Sequence, residues 1–153
     1  MKTLYLMVGI PGAGKSTFAH GNFLDDEIAA SDELREKLHL DPVDLSVFPM
    51  MEDMARERLA NNQDICIDST AILPEHRKKY IDIAKAVKGK AICVVINTDA
   101  NTAISRDSKR LRHVPENIIR DMRNSLDKNF PTISEGFDNI LVLDSTAKID
   151  REQ

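Results

Sequence analysis

The sequence predicts an α/β protein, a five-stranded parallel sheet flanked by helices. Two observations carry the prediction. Short apolar runs recur along the chain and alternate with stretches of helical periodicity, the pattern of βαβ units. The clearest runs are continuous rather than alternating, as strands buried on both faces must be.

The elements follow in order. Residues 4–8 ("LYLMV") form the first strand and stop at Gly9. A helix starts at Lys15 and reaches Phe23, with Gly21 weakening its end. A weaker strand, 27–30, leads into the short charged helix 32–39. Residues 50–61 place Met50, Met51, Met54, Ala55, Arg58 and Leu59 near helical spacing, a methionine stripe of the kind that fills cores. The third strand is 65–67. Pro74 opens "PEHRKKYIDIAKAV" as a first-turn proline and Gly89 closes it. The fourth strand is 91–96. Pro115 opens a helix with Ile118, Ile119, Met122 and Leu126 as its apolar face, and 140–143 is the fifth strand. No internal repeat, low-complexity tract or linker interrupts this order, so residues 1–153 read as one domain.

Composition narrows the class. The chain is 42% hydrophobic and 30% charged, which favours a packed core over disorder. Its net charge of −4 argues against a broad nucleic-acid-coating surface. The charge is uneven: residues 1–75 carry a balance of −8, 76–130 of +7 and 131–153 of −3. A basic centre is either an anion site or the solvated faces of helices. Cys66 and Cys93 lie inside apolar runs and read as core thiols of a reducing cytoplasm. No Cys/His spacing suggests zinc, and His20, His39, His76 and His113 are scattered and read as surface residues. No apolar stretch is long enough to span a membrane, and the N-terminal one is better spent as the first strand than as a leader. The expected location is the cytoplasm.

The segment after the first strand is "GIPGAGKST". It fits G-x-x-x-x-G-K-[ST] at Gly9, Gly14, Lys15 and Ser16, the Walker A form of a phosphate-binding loop (P-loop). Glycines let backbone N–H groups close around oxygen anions, and the following helix adds its positive end. Gly9, Gly12, Ala13, Gly14, Lys15, Ser16 and Thr17 are therefore the expected nucleotide-binding residues, with Lys15 on the β- and γ-phosphates and Ser16 on Mg²⁺. The donor is ATP or another nucleoside triphosphate.

Ligands of such sheets gather at the carboxyl ends of the strands, so the chemistry is sought there. After the second strand comes "SDELR", where Asp32 reads either as a helix cap worth about 1 kcal/mol or as a catalytic group. After the third comes "DST", where Asp68 is either a Walker B type acid on Mg²⁺ or a turn aspartate. After the fourth comes "NTDANTAISRDSKRLRHVP", where Arg106 and Arg110 are spaced to share a helix face. That stretch is a basic flap over the phosphates or a solvated helix end.

Four blocks in this order, "GIPGAGKSTFA", "SDELR", "CIDSTAILPEHRKKYIDIAK" and "SRDSKRLRHVPENIIRDM", resemble the kinase domain of phage polynucleotide kinase and of the bacterial RNA-repair polynucleotide kinase-phosphatases. The similarity spans roughly residues 3–143. It implies an adenylate-kinase-like P-loop fold with a short lid and transfer of the γ-phosphate to a 5′-hydroxyl of a polynucleotide or nucleotide. It further implies Asp32 as general base, Arg35 on the acceptor's neighbouring phosphate, and Arg106 and Arg110 in the lid. Asp68 would support the metal side. Residues 40–50 ("LDPVDLSVFP") depart from the expectation, with few basic or aromatic groups where an acceptor strand would lie. Two other readings stay open: a kinase for a sugar, nucleoside or antibiotic, and a nucleotide-binding switch with slow hydrolysis. A homo-oligomer is likewise left open.

Overall fold

A computed structural model describes residues 2–111 and 113–151; Met1, Glu152, Gln153 and, within the basic stretch, Arg112 lie outside it. Five strands form one sheet: β1 Thr3–Val8, β2 Ile28–Ala30, β3 Ile65–Asp68, β4 Lys90–Ile96 and β5 Asn139–Leu143. Their order is β2-β3-β1-β4-β5, and every pairing is parallel. The helices between them are α1 Lys15–Asn22, α2 Ser31–Lys37, α3 Val47–Ala60, α4 Pro74–Ala86, α5 Ala100–Asp107 and α6 Glu116–Lys128. This is the expected parallel α/β architecture.

The apolar runs explain the layering. All six residues of β1 are buried, so both faces of the central strand are covered. The helices α3 and α4 pack on each other and on β1, while α1 lies against β3 and α5 against α6. Leu4, Leu6, Met7, Phe18, Ile67 and Ile96 are sealed from solvent, each stabilising the fold by roughly 1.5–3 kcal/mol. Register then sets the site. Asp68 stands opposite both Met7 and Ala30, and Val95 opposite both Val8 and Val142. The strands therefore end together, and the segments that follow them converge on one edge.

Three expectations need correction. The third helix starts at Val47, not residue 50. Pro49 falls in its first turn, where an N–H has no helical partner to lose. The apolar faces are narrower than their spacing suggested, since Met50 and Ile118 are exposed while Met51, Ile119 and Leu126 are buried. Arg106 and Arg110 do not share a helix face, because α5 ends at Asp107 and Arg110 lies in the turn beyond it. There the Asp107 carboxylate accepts a hydrogen bond from the Val114 N–H at 2.6 Å, which bends the chain back before Pro115. Among the described residues, no helix is long and apolar enough to cross a membrane.

Arg77 holds the loop between β3 and α4. It is fully buried. Its guanidinium donates to the carbonyls of Ala71 (3.0 Å), Ile72 (2.8 Å) and Asn129 (2.8 Å) and forks onto Glu135 at 2.8 and 3.0 Å. Ala71 sits in the left-handed region at φ 47°, a conformation that a non-glycine residue keeps only when its surroundings impose it. Removing one member of such a buried pair strands the other. Arg77→Ala should lower unfolding free energy by about 3–5 kcal/mol, read from urea denaturation.

Candidate active site

The loop between β1 and α1 is shaped by two left-handed glycines, Gly12 at φ 82° and Gly14 at φ 102°. Gly14 caps α1 and accepts the Phe18 N–H at 3.0 Å. Gly12 has a second reason to lack a side chain. A Cβ there would lie 2.2 Å from the Ala103 carbonyl oxygen of α5. Two further bonds fasten the same arm to the loop: Thr98 Oγ1 donates to the Ala13 carbonyl at 2.9 Å and Arg106 Nη1 to the same oxygen at 3.0 Å. Lys15 is half-buried, its ammonium donating to the carbonyls of Gly9 (3.0 Å) and Ile10 (3.2 Å). Burial pulls its pKa below the ordinary lysine range, and Asp68 and Asp32 act against that pull. The carboxyl of Asp68, buried at the end of β3, moves upward, chiefly through burial, with Lys15 opposing.

On the opposite wall stands α2. Its N-cap is Ala30, with no side-chain cap bond, so Asp32 does not cap the helix. The Asp32 carboxylate is exposed and takes Arg35 Nη1 at 3.1 Å on one oxygen and Arg110 Nη2 at 3.5 Å on the other. Arg35 is almost fully buried. It donates from Nε to the Asp44 carbonyl at 2.9 Å and stacks 5.4 Å above the Phe48 ring. It thus fixes Asp32 and the 40–46 loop together.

These parts line one cavity of about 890 Å³. The structure brings to it Gly12, Gly14, Lys15, Ser16 and Thr17 from the loop, Asp32 and Arg35 from α2, Asp68 after β3, and Arg106 and Arg110 from the fourth connection. Gly9 and Ala13 are buried behind the loop rather than lining the cavity. Three contributors escaped the sequence reading. Glu33, on α2, accepts from Ser16 Oγ at 3.3 Å and pairs with His20 Nε2 at 2.8 Å, a bond that raises the His20 pKa. It sits inside "SDELR", one residue from Asp32. Asp107 holds Arg110. Ser145, after β5, lies against Gly14, where an added Cβ would meet its Cβ at 2.5 Å; searching after every strand would have found it.

The donor set suits Mg²⁺. Ser16 and Asp68 offer hard oxygen ligands beside the loop, and Mg²⁺ is commonly held by one or two such groups plus substrate phosphates. No cluster of three or more His, Cys, Asp or Glu side chains that could hold a metal occurs among the described residues.

A nucleotide-phosphate loop, an acid at the end of β3 and a guanidinium-rich fourth connection now share one cavity. Residues 4–128 match the family described as AAA domain. The chain belongs to that family. It is 24% identical over 156 residues to an L-seryl-tRNA(Sec) kinase of Methanococcus maripaludis, covering 96% of this chain and 61% of that protein. The chain thus spans about six tenths of that relative's length. Among solved structures it resembles a gluconokinase from Sinorhizobium meliloti (TM-score 0.56, 15% identity, 95% of this chain and 83% of the other). It also resembles the Mycobacterium tuberculosis APS kinase bound to AMPPNP and APS (TM-score 0.55, 18% identity, 92% and 87%). At these identities the likeness is one of fold, and the fold is that of the P-loop kinases.

Gly12→Ala should break the seam between loop and α5. The left-handed φ and the Ala103 carbonyl both oppose a Cβ. The expected result is a lower Tm and at least about tenfold weaker binding of a fluorescent ATP analogue, about 1.4 kcal/mol.

Proposed function

We propose that the chain is a kinase that transfers the γ-phosphoryl group of a magnesium nucleoside triphosphate to the hydroxyl of a compact acceptor. The observation that carries this reading is the exposed Asp32 carboxylate facing the phosphate loop across one cavity, held there by a buried arginine. A general base needs that placement: within reach of a hydroxyl, and fixed against rotation. Lys15, Arg106 and Arg110 supply positive charge where the transferring group would carry negative charge. Mg²⁺, held by Ser16 and Asp68, would neutralise phosphate oxygens when bound. Arg35 serves as the residue that orients Asp32. The curated relative and the solved relatives named above are all kinases, which supports phosphotransfer over a slow hydrolytic switch.

The acceptor side favours a compact molecule over a strand. The cavity's cations among the described residues are Lys15, Arg35, Arg106, Lys109 and Arg110. Only Arg35 belongs to the acceptor wall, and it is committed to Asp32 and Asp44. The rest of that wall carries no cation: it includes Ser31, Glu36, Pro42, Val43, Leu45 and Phe48. A strand needs successive cations for its phosphates and aromatic rings for its bases. A sugar, nucleoside or antibiotic has no run of phosphates to neutralise.

Radiolabelled ATP with Mg²⁺, offered to a panel of hydroxyl metabolites beside 5′-hydroxyl oligonucleotides, separates the acceptors. Label moving to the panel supports the compact acceptor, and label moving to oligonucleotides alone replaces it with the polynucleotide reading. Asp32→Asn should slow transfer about 10²–10⁴-fold while leaving affinity for a fluorescent ATP analogue unchanged. Lys15→Ala should abolish both transfer and tight ATP binding in a chain that still melts cooperatively. A fully active Asp32→Asn variant would remove the base from the mechanism.

A further inference from the structure

The carboxylate of Asp107 is buried, with 1% of its surface exposed, at the last position of α5. Two general rules oppose it there. The C-terminal end of a helix repels negative charge, and a buried carboxylate forfeits its hydration unless hydrogen-bonded. Its partners answer both costs: the Val114 N–H at 2.6 Å on one oxygen and Arg110 Nη1 at 2.9 Å on the other. The second guanidinium nitrogen of Arg110 then reaches Asp32 at 3.5 Å. Arg110 itself is exposed and lies in the turn after α5, where its backbone N–H donates to the Asp107 carbonyl at 3.0 Å, so residue 107 holds both its backbone and its guanidinium. The aim comes from Asp107. That anchor is rigid relative to the phosphate loop, because α5 is seated on Gly12 through Ala103 and tied to Ala13 by Arg106.

We propose that Asp107 is the positioning residue that aims Arg110 at the transferring phosphoryl group. The inference rests on the phosphotransfer reading above and deepens it. Asp107 touches neither donor nor acceptor. It fixes one edge of the Arg110 guanidinium, so the remaining donors point across the gap between the phosphate loop and Asp32. An aimed guanidinium meets charge that develops during transfer without reorganising. An unaimed one offers only a weak, screened attraction.

The test uses ADP with Mg²⁺, with and without aluminium fluoride, which mimics the planar phosphoryl group and needs no identified acceptor. In the wild-type chain aluminium fluoride should tighten ADP binding. Arg110→Ala and Asp107→Asn should each weaken the ADP–aluminium fluoride complex by at least about tenfold while changing ADP affinity less than about threefold. The double variant should bind it no more weakly than Arg110→Ala alone, since the first acts only through the second. Asp107→Glu, which keeps the charge but displaces it, should fall between wild type and Asp107→Asn, and it carries the test if the asparagine variant does not fold. Equal losses for ADP and for ADP–aluminium fluoride would make Asp107 merely structural and overturn the proposal, as would losses that multiply in the double variant. An Arg110→Ala chain with unchanged affinity removes Arg110 from the phosphoryl site, and with it both the parent assignment of that residue and this one. A normal response to Arg110→Ala with none to either Asp107 variant overturns only the positioning role. A wild-type chain indifferent to aluminium fluoride overturns both.

Discussion

The place where a side chain of Gly12 would stand is taken by the backbone of α5. The Ala103 carbonyl approaches so closely that only a hydrogen fits, and the left-handed φ of Gly12 turns the loop to meet it. This one contact couples two halves of the site that are far apart in sequence. The loop supplies the oxyanion cradle. The helix supplies Arg106 to the Ala13 carbonyl and, at its end, Asp107. Had the contact been between side chains, the helix could settle at several distances. Backbone against backbone allows one.

Charge around the cavity is balanced rather than simply positive. Asp32, Glu33 and Asp68 stand against Lys15, Arg35 and Arg110, and each acid has a different constraint. Asp68 is buried and faces the lysine, so its carboxyl is raised by desolvation and drawn back by the ammonium. Asp32 is exposed and bracketed by guanidinium groups. Glu33 is tied to Ser16 and His20. Opposed charges facing one another across a cleft hold one another in place. A polyphosphate entering such a site meets cations whose positions are already set by acids, the condition under which electrostatic stabilisation needs little rearrangement.

The fold was legible because its strands are short apolar runs between strong punctuation, and a parallel sheet buried on both faces has that pattern almost by necessity. The phosphate loop was legible because backbone geometry imposes glycine and chemistry imposes lysine at fixed spacing. What was hidden is of another kind. Nothing local marks Arg77 as buried; its partners at Asn129 and Glu135 lie more than fifty positions away. The spacing of Arg106 and Arg110 suggested one helix face, but α5 ends at Asp107, which binds Val114, and Arg110 falls in the turn beyond. The expected start of α3 at residue 50 was late because Pro49, which would break a helix interior, is tolerated in a first turn. Glu33 was masked by its neighbour Asp32: a helix that begins at Ser31 presents both acids to the same cavity, whereas the pattern directs attention to one.

Arg35 shows why stability and chemistry are hard to separate in this cleft. Its guanidinium bonds the base candidate, closes the 40–46 loop through the Asp44 carbonyl, and covers Phe48. A lysine at that position keeps the charge but lacks the planar fork, so it can serve one of these partners at a time. The Asp32 carboxylate would then keep Arg110 as its remaining fixed neighbour and be held from across the cavity only. The distance between base and phosphate loop would no longer be set by α2 alone. Burying Arg35 against an aromatic ring costs the fold a desolvated cation, and the return is a carboxylate held from its own helix as well as from the basic turn opposite it. The acceptor wall therefore stays where β2 and α2 put it.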